Sequence, residues 1–487
     1  MGYSAGFLVE RGYLRSNKWE WVGRVGRRVG ITQRRITMKK MMWMTVLAVL
    51  LGLQGFMTGL EAAELKFSGD FRVRGIYSDN LYDADEVGDD QEAFADGRFR
   101  MKIAATAGIT TGIVVVDFSN AFGDPTNTGC GFTGCDTGNY RFGTANFGGD
   151  YRTVGVREAH LKLDFGESKL AFGRKQFRLG HSLILDDTMD AIAGKIESGE
   201  FDAMVAFGKL MDRNQFATGH TGGDSDLYIA KVGFSHGGQE GAAPSDTHRI
   251  GLFSAYLKDR QPFFVSATED SQIWVVGVTA DGRLGPIEAE FEVDTLGGER
   301  NNTATPNVNI SGLNFLLGGK VDLGPSSNIG LTFLHTRGDE GRIDEDVITG
   351  ISGNYVLGNI LVNDNLLSDR EGQCANVGGG RIGSGAAGCG FGGLGITAVK
   401  LAANLPDMTP ECDLDVAVIW AKATEKPFGT GERDLGVELD LNMTHQIDEH
   451  LNATVNLGYL FAGDIFKVLG GPGDNIMKAV ASLNYTF

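Results

Sequence analysis

From Met477 to Phe487 every second side chain is apolar, and those between are polar except Val480. Met477, Ala479, Ala481, Leu483, Tyr485 and Phe487 are apolar or aromatic, while Lys478, Ser482, Asn484 and Thr486 between them are polar. Successive side chains of a β-strand point to opposite faces, so such a segment is a ribbon with one greasy side and one wet side. The pattern recurs along the chain. Leu65, Phe67, Phe71, Val73 and Tyr77 alternate with Lys66, Ser68, Asp70, Arg72 and Arg74. Phe99, Met101 and Ile103 alternate with Arg98, Arg100 and Lys102. Further ribbons are expected at 111–119, 151–165, 168–178, 188–197, 200–211, 225–236, 246–257, 271–280, 285–295, 311–323, 326–337, 394–404, 412–424, 432–446, 450–462 and 474–487. With 65–77 and 98–107 that makes about 18 strands, and boundary uncertainty leaves 16 open.

The connections sort by parity. Those after strands 2, 4, 6, 10, 12 and 16 are short, such as Gly166-Glu167, Ser198-Gly199 and Gly324-Pro325, and those after strands 8 and 14 are somewhat longer. Those after odd strands include 78–96, 120–150 and the long 338–393. Short turns on one rim and long loops on the other fit an all-β, transmembrane, antiparallel up-and-down barrel with short periplasmic turns and long extracellular loops. Closure also removes the sheet edges that lipid is unable to hydrogen-bond. Leu483, Tyr485 and Phe487 resemble the C-terminal assembly signal of bacterial outer-membrane barrels.

The other end agrees. Met38-Lys39-Lys40, an apolar run to Leu53 and small residues up to Ala62-Ala63 read as a secretory signal peptide over 38–63. Residues 1–37 then read as an upstream extension called from too early a start, and 64–487 as the barrel, with 338–393 serving as pore constriction or surface loop. No later stretch reaches the length of a helical span.

Residues 64–487 carry 34 Lys/Arg and 59 Asp/Glu, a formal charge of −25. This excess of acid argues against nucleic acid as a partner. Cys130 with Cys135 and Cys374 with Cys389 bracket short loop segments and suit two disulfides in an exported chain, leaving Cys412 over. No cysteine–histidine spacing indicates a metal, and no haem-attachment or other cofactor motif is present. Asp83 to Phe94 begins like a calcium loop but lacks ligands at two positions, Val87 and Phe94. His181-Ser182 lies near Asp186-Asp187 without a nucleophile-elbow context, so no enzymatic activity is expected.

The wet faces should line a lumen. Lys66, Arg72, Arg74, Arg98, Arg100 and Lys102 share a phase, His160, Lys162 and Arg174 extend the basic wall, and the phase of strand 5 is unclear enough to suggest a bulge. Glu288, Glu290 and Glu292 form an acidic row, and Glu438 with Asp440 another. Opposed charges across a water-filled constriction select solutes by charge and orientation.

Arg157-Glu158-Ala159-His160-Leu161-Lys162-Leu163, Gly173-Arg174-Lys175-Gln176, Leu183 to Asp187, and Leu457-Gly458-Tyr459-Leu460-Phe461-Ala462-Gly463-Asp464 resemble motifs of alginate-export-type porins of Gram-negative bacteria. The resemblance implies an 18-stranded outer-membrane porin. Lys175 inside the Gly-Arg-Gln motif and the acidic rows depart from the pattern, so it carries fold further than substrate. The expected function is a water-filled channel for passive diffusion of small hydrophilic or anionic solutes. Expected partners are outer-membrane lipid and the barrel-assembly machinery, with oligomeric state open. The alternative is an interaction barrel whose long loops bind surface partners or polysaccharide.

Overall fold

A computed structural model of the chain describes residues 64–80, 91–122, 152–212, 224–236, 248–259, 269–302, 307–324, 327–338, 345–347, 350–351, 355–362, 395–409, 411–426, 431–468 and 473–487. The upstream extension, the signal peptide, residues 83–90 of the calcium-like segment and Cys130, Cys135, Cys374 and Cys389 lie outside these residues, and the segment's end, 92–94, is the start of a strand. Cys412 is a buried free cysteine.

The strands are β1 (Glu64–Asp79), β2 (Glu92–Ala107), β3 (Thr110–Phe122), β4 (Arg152–Asp164), β5 (Ser168–Leu179), β6 (Leu185–Ser198), β7 (Phe201–Asp212), β8 (Asp224–His236), β9 (His248–Asp259) and β10 (Glu269–Leu284). They continue as β11 (Ile287–Asn302), β12 (Val308–Asp322), β13 (Asn328–Thr336), β14 (Glu345–Val347), β15 (Ile396–Thr409), β16 (Cys412–Ala423), β17 (Asp434–Gln446), β18 (Leu451–Ala462) and β19 (Ile476–Thr486). Each pairs antiparallel with its neighbour and β1 pairs with β19, closing an 18-stranded barrel. The short β14 stands apart from the barrel staves and adds in parallel to the end of β12.

All eighteen expected strands are present, but β2 begins six residues earlier and β11 runs seven residues further than expected, and two connections also differ. β10 and β11 run on to a turn at Gly285-Pro286, so Asp281 to Leu284 is strand where a turn was expected. β15 extends to Thr409, and the β15–β16 connection is short after all. Pro406 hid this extension: it falls in the register break between Leu405 and Thr409, where its missing N–H costs no ladder bond.

One series of each strand is exposed and apolar: Phe67 and Phe71 on β1, Phe172 on β5, Trp274 on β10, Trp420 on β16, Leu439 and Leu441 on β17, Leu457 on β18. A soluble protein does not expose so continuous an apolar surface. Here it is the outer face of the barrel, opposite the inward polar series. At the seam, Gly69 and Phe487 exchange both backbone hydrogen bonds, at 3.0 and 3.1 Å. The Phe487 ring stacks on Phe99 and Tyr485. A side chain at 69 would strike that ring, with a Cβ only 2.7 Å from it, so Gly69 leaves the space the terminal aromatic occupies.

Candidate functional site: the partly filled lumen

The inner series does not simply face water. β4 and β5 pair only from Ala159↔Arg174 to Asp164↔Lys169, and β6 and β7 only from Asp190↔Lys209 to Ser198↔Phe201. Beyond these points β5 and β6 pair only with each other, up to Leu179↔Leu185. The hairpin tip 175–189 therefore leaves the wall. Phe177, Leu179, Ile184, Leu185 and Met189 pack against inward residues of β8–β11, among them Leu227, Phe253, Ile273 and Leu296. These five side chains are each 3% exposed or less. At about 1.5–3 kcal/mol apiece their burial holds the tip with roughly 10 kcal/mol, an upper estimate.

This explains the ambiguous phase of strand 5. Arg174 shares the series of Leu170 and Phe172, which face outward, and sits where the hairpin departs from the wall. Its guanidinium donates to Thr188 Oγ1 at 3.2 Å and lies 3.6 Å from Asp190. Past the departure point the faces exchange surroundings: Phe177 and Leu179 meet the core, while Arg178 and Gln176 bind Asp186.

The tip connection 180–184 reaches the strands opposite. His181 Nδ1 lies 2.7 Å from Glu292 Oε2 and Nε2 2.7 Å from Asp281 Oδ1, and the His181 N–H also donates to Glu292. Gly180 has φ +62°, and a Cβ there would overlap the Glu292 carboxylate. Burial disfavours the His181 charge, but Asp281 and Glu292 outweigh it and push its pKa up to about 10. Ser182 donates to Asp186 at 3.0 Å, so the serine, histidine and acid of this stretch do not come together as a nucleophilic set.

A second insert comes from the long loop. Ile351 N–H donates to Ile184 O at 2.9 Å, tying it to the hairpin tip. Residues 357–362 close on themselves through Leu357 N–H to Val362 O at 2.9 Å and Gly358 N–H to Leu361 O at 3.0 Å. Leu357, Ile360, Leu361 and Val362 pack on Leu316, Leu334, Ile396, Ile419 and Leu460 of the inner wall, beside Ile465 and Phe466 of the one-turn α1 (Ile465–Val468). The described residues 355–362 of this segment thus pack against the inner side of the wall.

The charged residues divide accordingly. On β1–β3, Arg74 donates to Asp96 at 2.8 Å, Arg98 to Asp70 at 2.7 Å, and Arg100 to Asp117 at 2.6 and 2.9 Å. Arg72 is half-buried opposite Arg98, Lys66 meets Glu64, and Lys102 is exposed. On β4, His160 lies 3.5 Å from Glu158, and Lys162 lies 3.0 Å from Asp164. The basic wall is thus an interleaved ladder of both signs. Alternation put these arginines on one face, but Asp96 and Asp117 became their partners only through the register of β2 with β1 and β3, which sequence spacing does not reveal.

Both acidic rows are largely covered. Glu292 and Asp294 are 0% and 2% exposed, Glu438 and Asp440 0% and 5%. Glu438 accepts from the N–H groups of Asn359, Ile360 and Leu361, and Lys400 donates to Leu357 O at 2.5 Å. Glu288 and Glu290 remain beside open space. With Asp281, Lys320, Asn404 and Asp415 they line a cavity of about 410 Å³ near the short-turn rim. The alginate-export-like motif residues cluster around these features: Lys175, Gln176 and Leu183 to Asp187 belong to the hairpin, while Gly458 faces Asn359 and Ile360.

No family model and no curated protein matches the sequence. Among solved structures, OpdL of Pseudomonas aeruginosa is similar at 12% identity and a TM-score of 0.51, covering 87% of this chain and 99% of that one. A BenF-like porin from Pseudomonas fluorescens Pf-5 is similar at 9% identity and a TM-score of 0.52, covering 87% and 98%. OccK2 (OpdF) of Pseudomonas aeruginosa, solved in complex with glucuronate, is similar at 12% identity and a TM-score of 0.50, covering 87% and 98%. At these identities the likeness is one of architecture: the chain has the fold of an 18-stranded outer-membrane porin.

Proposed function

We propose that the chain is a porin of the bacterial outer membrane, exported through the signal peptide at 38–63, that lets small hydrophilic solutes, anions among them, diffuse passively. One observation carries this reading. The two inserts cover the apolar inner surface of β8–β13 and β15–β19, whereas on the inner face of β1–β3 the Arg98, Asp70 and Arg100 members of the arginine–aspartate ladder stay partly exposed. A structural barrel would have no need of a polar inner wall, and a fully plugged one would cover it. The charged ladder suits solutes that carry a carboxylate or many hydroxyl groups, exchanging water for guanidinium and carboxylate contacts as they pass. The glucuronate seen in OccK2 is a solute of that kind. The motif resemblance to alginate-export-type porins bears on kinship and leaves the solute open.

The reading includes no catalytic step and no cofactor. Leu483, Tyr485 and Phe487 act in it as the assembly signal, recognised by the barrel-assembly machinery. Planar-bilayer recording of the purified protein tests it: a steady ohmic conductance is expected. A folded, inserted barrel without conductance would instead favour the interaction reading, in which the long loops bind surface partners.

A further inference from the structure

Residues 359–361 present three successive N–H groups to one carboxylate. Glu438 Oε1 accepts from Asn359 N at 2.8 Å and Ile360 N at 2.7 Å, and Oε2 accepts from Leu361 N at 2.8 Å. Consecutive backbone N–H groups in a turn form an anion-binding concavity, and here the anion is a side chain of the barrel wall. Asp440 adds longer contacts to Asn359 N, at 3.3 and 3.4 Å. Asn359 Nδ2 donates to Asn442 Oδ1 and to Leu457 O, each at 2.9 Å. The Glu438 side chain is fully covered and so has no surface toward passing ions.

We propose that Glu438 is a positioning residue that sets the bore of the channel from outside the ion path, by clipping the turn 357–362 to the wall. The proposal rests on the chain being a channel and goes beyond it by naming what fixes the channel's width. Charge-assisted hydrogen bonds are roughly twice as strong as neutral ones, and this carboxylate accepts three of them away from water. Glu438→Gln is the sharp perturbation because it keeps shape and exchanges one acceptor oxygen for a donor. A glutamine whose oxygen serves Asn359 and Ile360 turns its own N–H₂ toward the Leu361 N–H, donor against donor. Apolar contacts of Leu357, Ile360 and Leu361 still favour docking, so the turn loosens without leaving the lumen.

Two readouts test the proposal. Ile360→Cys, at a site buried in the native turn, reports docking by reaction with a membrane-impermeant maleimide on folded protein in vesicles, whether or not the channel conducts. In the Glu438→Gln background its labelling is expected to rise about tenfold or more, the factor set by one lost charge-assisted bond. Single-channel recording should show Glu438→Gln with larger and noisier conductance and an unchanged reversal potential, since residue 438 lies outside the path. Asn359→Pro removes one N–H from the clip without touching a strand and should act in the same direction if Glu438→Gln fails to fold. Unchanged labelling would overturn the proposal, as would a shifted reversal potential at constant conductance. A silent native channel with increased labelling in the variant would uphold the clip and refute the porin reading.

Discussion

Leu457→Arg and Asn456→Arg differ by one position on β18 and should differ strongly in consequence. Leu457 is exposed on the outer face between Leu441 and Ala479, while Asn456 is half-buried on the inner face opposite Asn442. Leu457 is the seventh of twelve residues in β18, so six steps of roughly 3.3 Å set it about 20 Å along the strand. With a tilt of about 45° it stands about 14 Å from the periplasmic end, close to the middle of an apolar band roughly 25 Å tall. An arginine there costs about 2–4 kcal/mol, or roughly 30- to 900-fold in the folding equilibrium into bilayers. An arginine at Asn456 enters a polar lumen beside Asn442 and should cost about 1 kcal/mol or less. Urea titration of folding into vesicles, read by heat-modifiable migration on gels, measures both. Equal costs, or a larger cost for Asn456→Arg, would refute the inside–outside assignment. The same comparison at 441 and 442 is less clean, because Asn442 accepts from Asn359 and an arginine there should also displace the inserted turn.

Deleting Phe487 removes two seam hydrogen bonds and a ring stacked on Phe99, so less protein should reach the heat-modifiable folded form; Gly69→Val, which strikes the same ring, should fail in the same assay. Leu179→Ala opens a cavity in the hairpin core and should cost about 2–5 kcal/mol at the tip, read as a larger, noisier conductance in a barrel that still migrates as folded. Arg74→Glu with Arg98→Glu and Arg100→Glu sets glutamates against Asp96, Asp70 and Asp117, so the reversal potential should move toward cations, most strongly at low salt. Raising the His181 pKa to about 10 means that its ion pairs stabilise the tip fully below the free-histidine value of 6.5, decline above it and vanish beyond about pH 10. Channel noise should therefore grow on alkalinisation toward pH 10 in the native protein and be independent of pH over that range in His181→Ala.

The strands and their outward faces were legible in the sequence because period-two alternation is a local signal. Each lipid-facing residue meets the same surroundings whichever strand stands beside it. Loop parity added the closure and orientation of the barrel, since short turns and long loops fall on opposite rims regardless of packing detail. The inner face was legible only as polar or apolar. Whether such a residue meets water, a partner of opposite charge or an inserted loop depends on segments far away along the chain. Asn359 and Glu438 are 79 positions apart, and His181 and Glu292 are 111 apart. Glu292, Glu438 and Asp440 looked like a charged lining and are anchors, while Arg174 looked like lumen and is buried against Thr188 where the hairpin leaves the wall. The hairpin could not be seen bending inward, because Phe177, Leu179 and Leu185 alternate like any stave. The tip is held instead by apolar inner residues of β8–β12, which are distant in sequence and meet it only in the closed barrel.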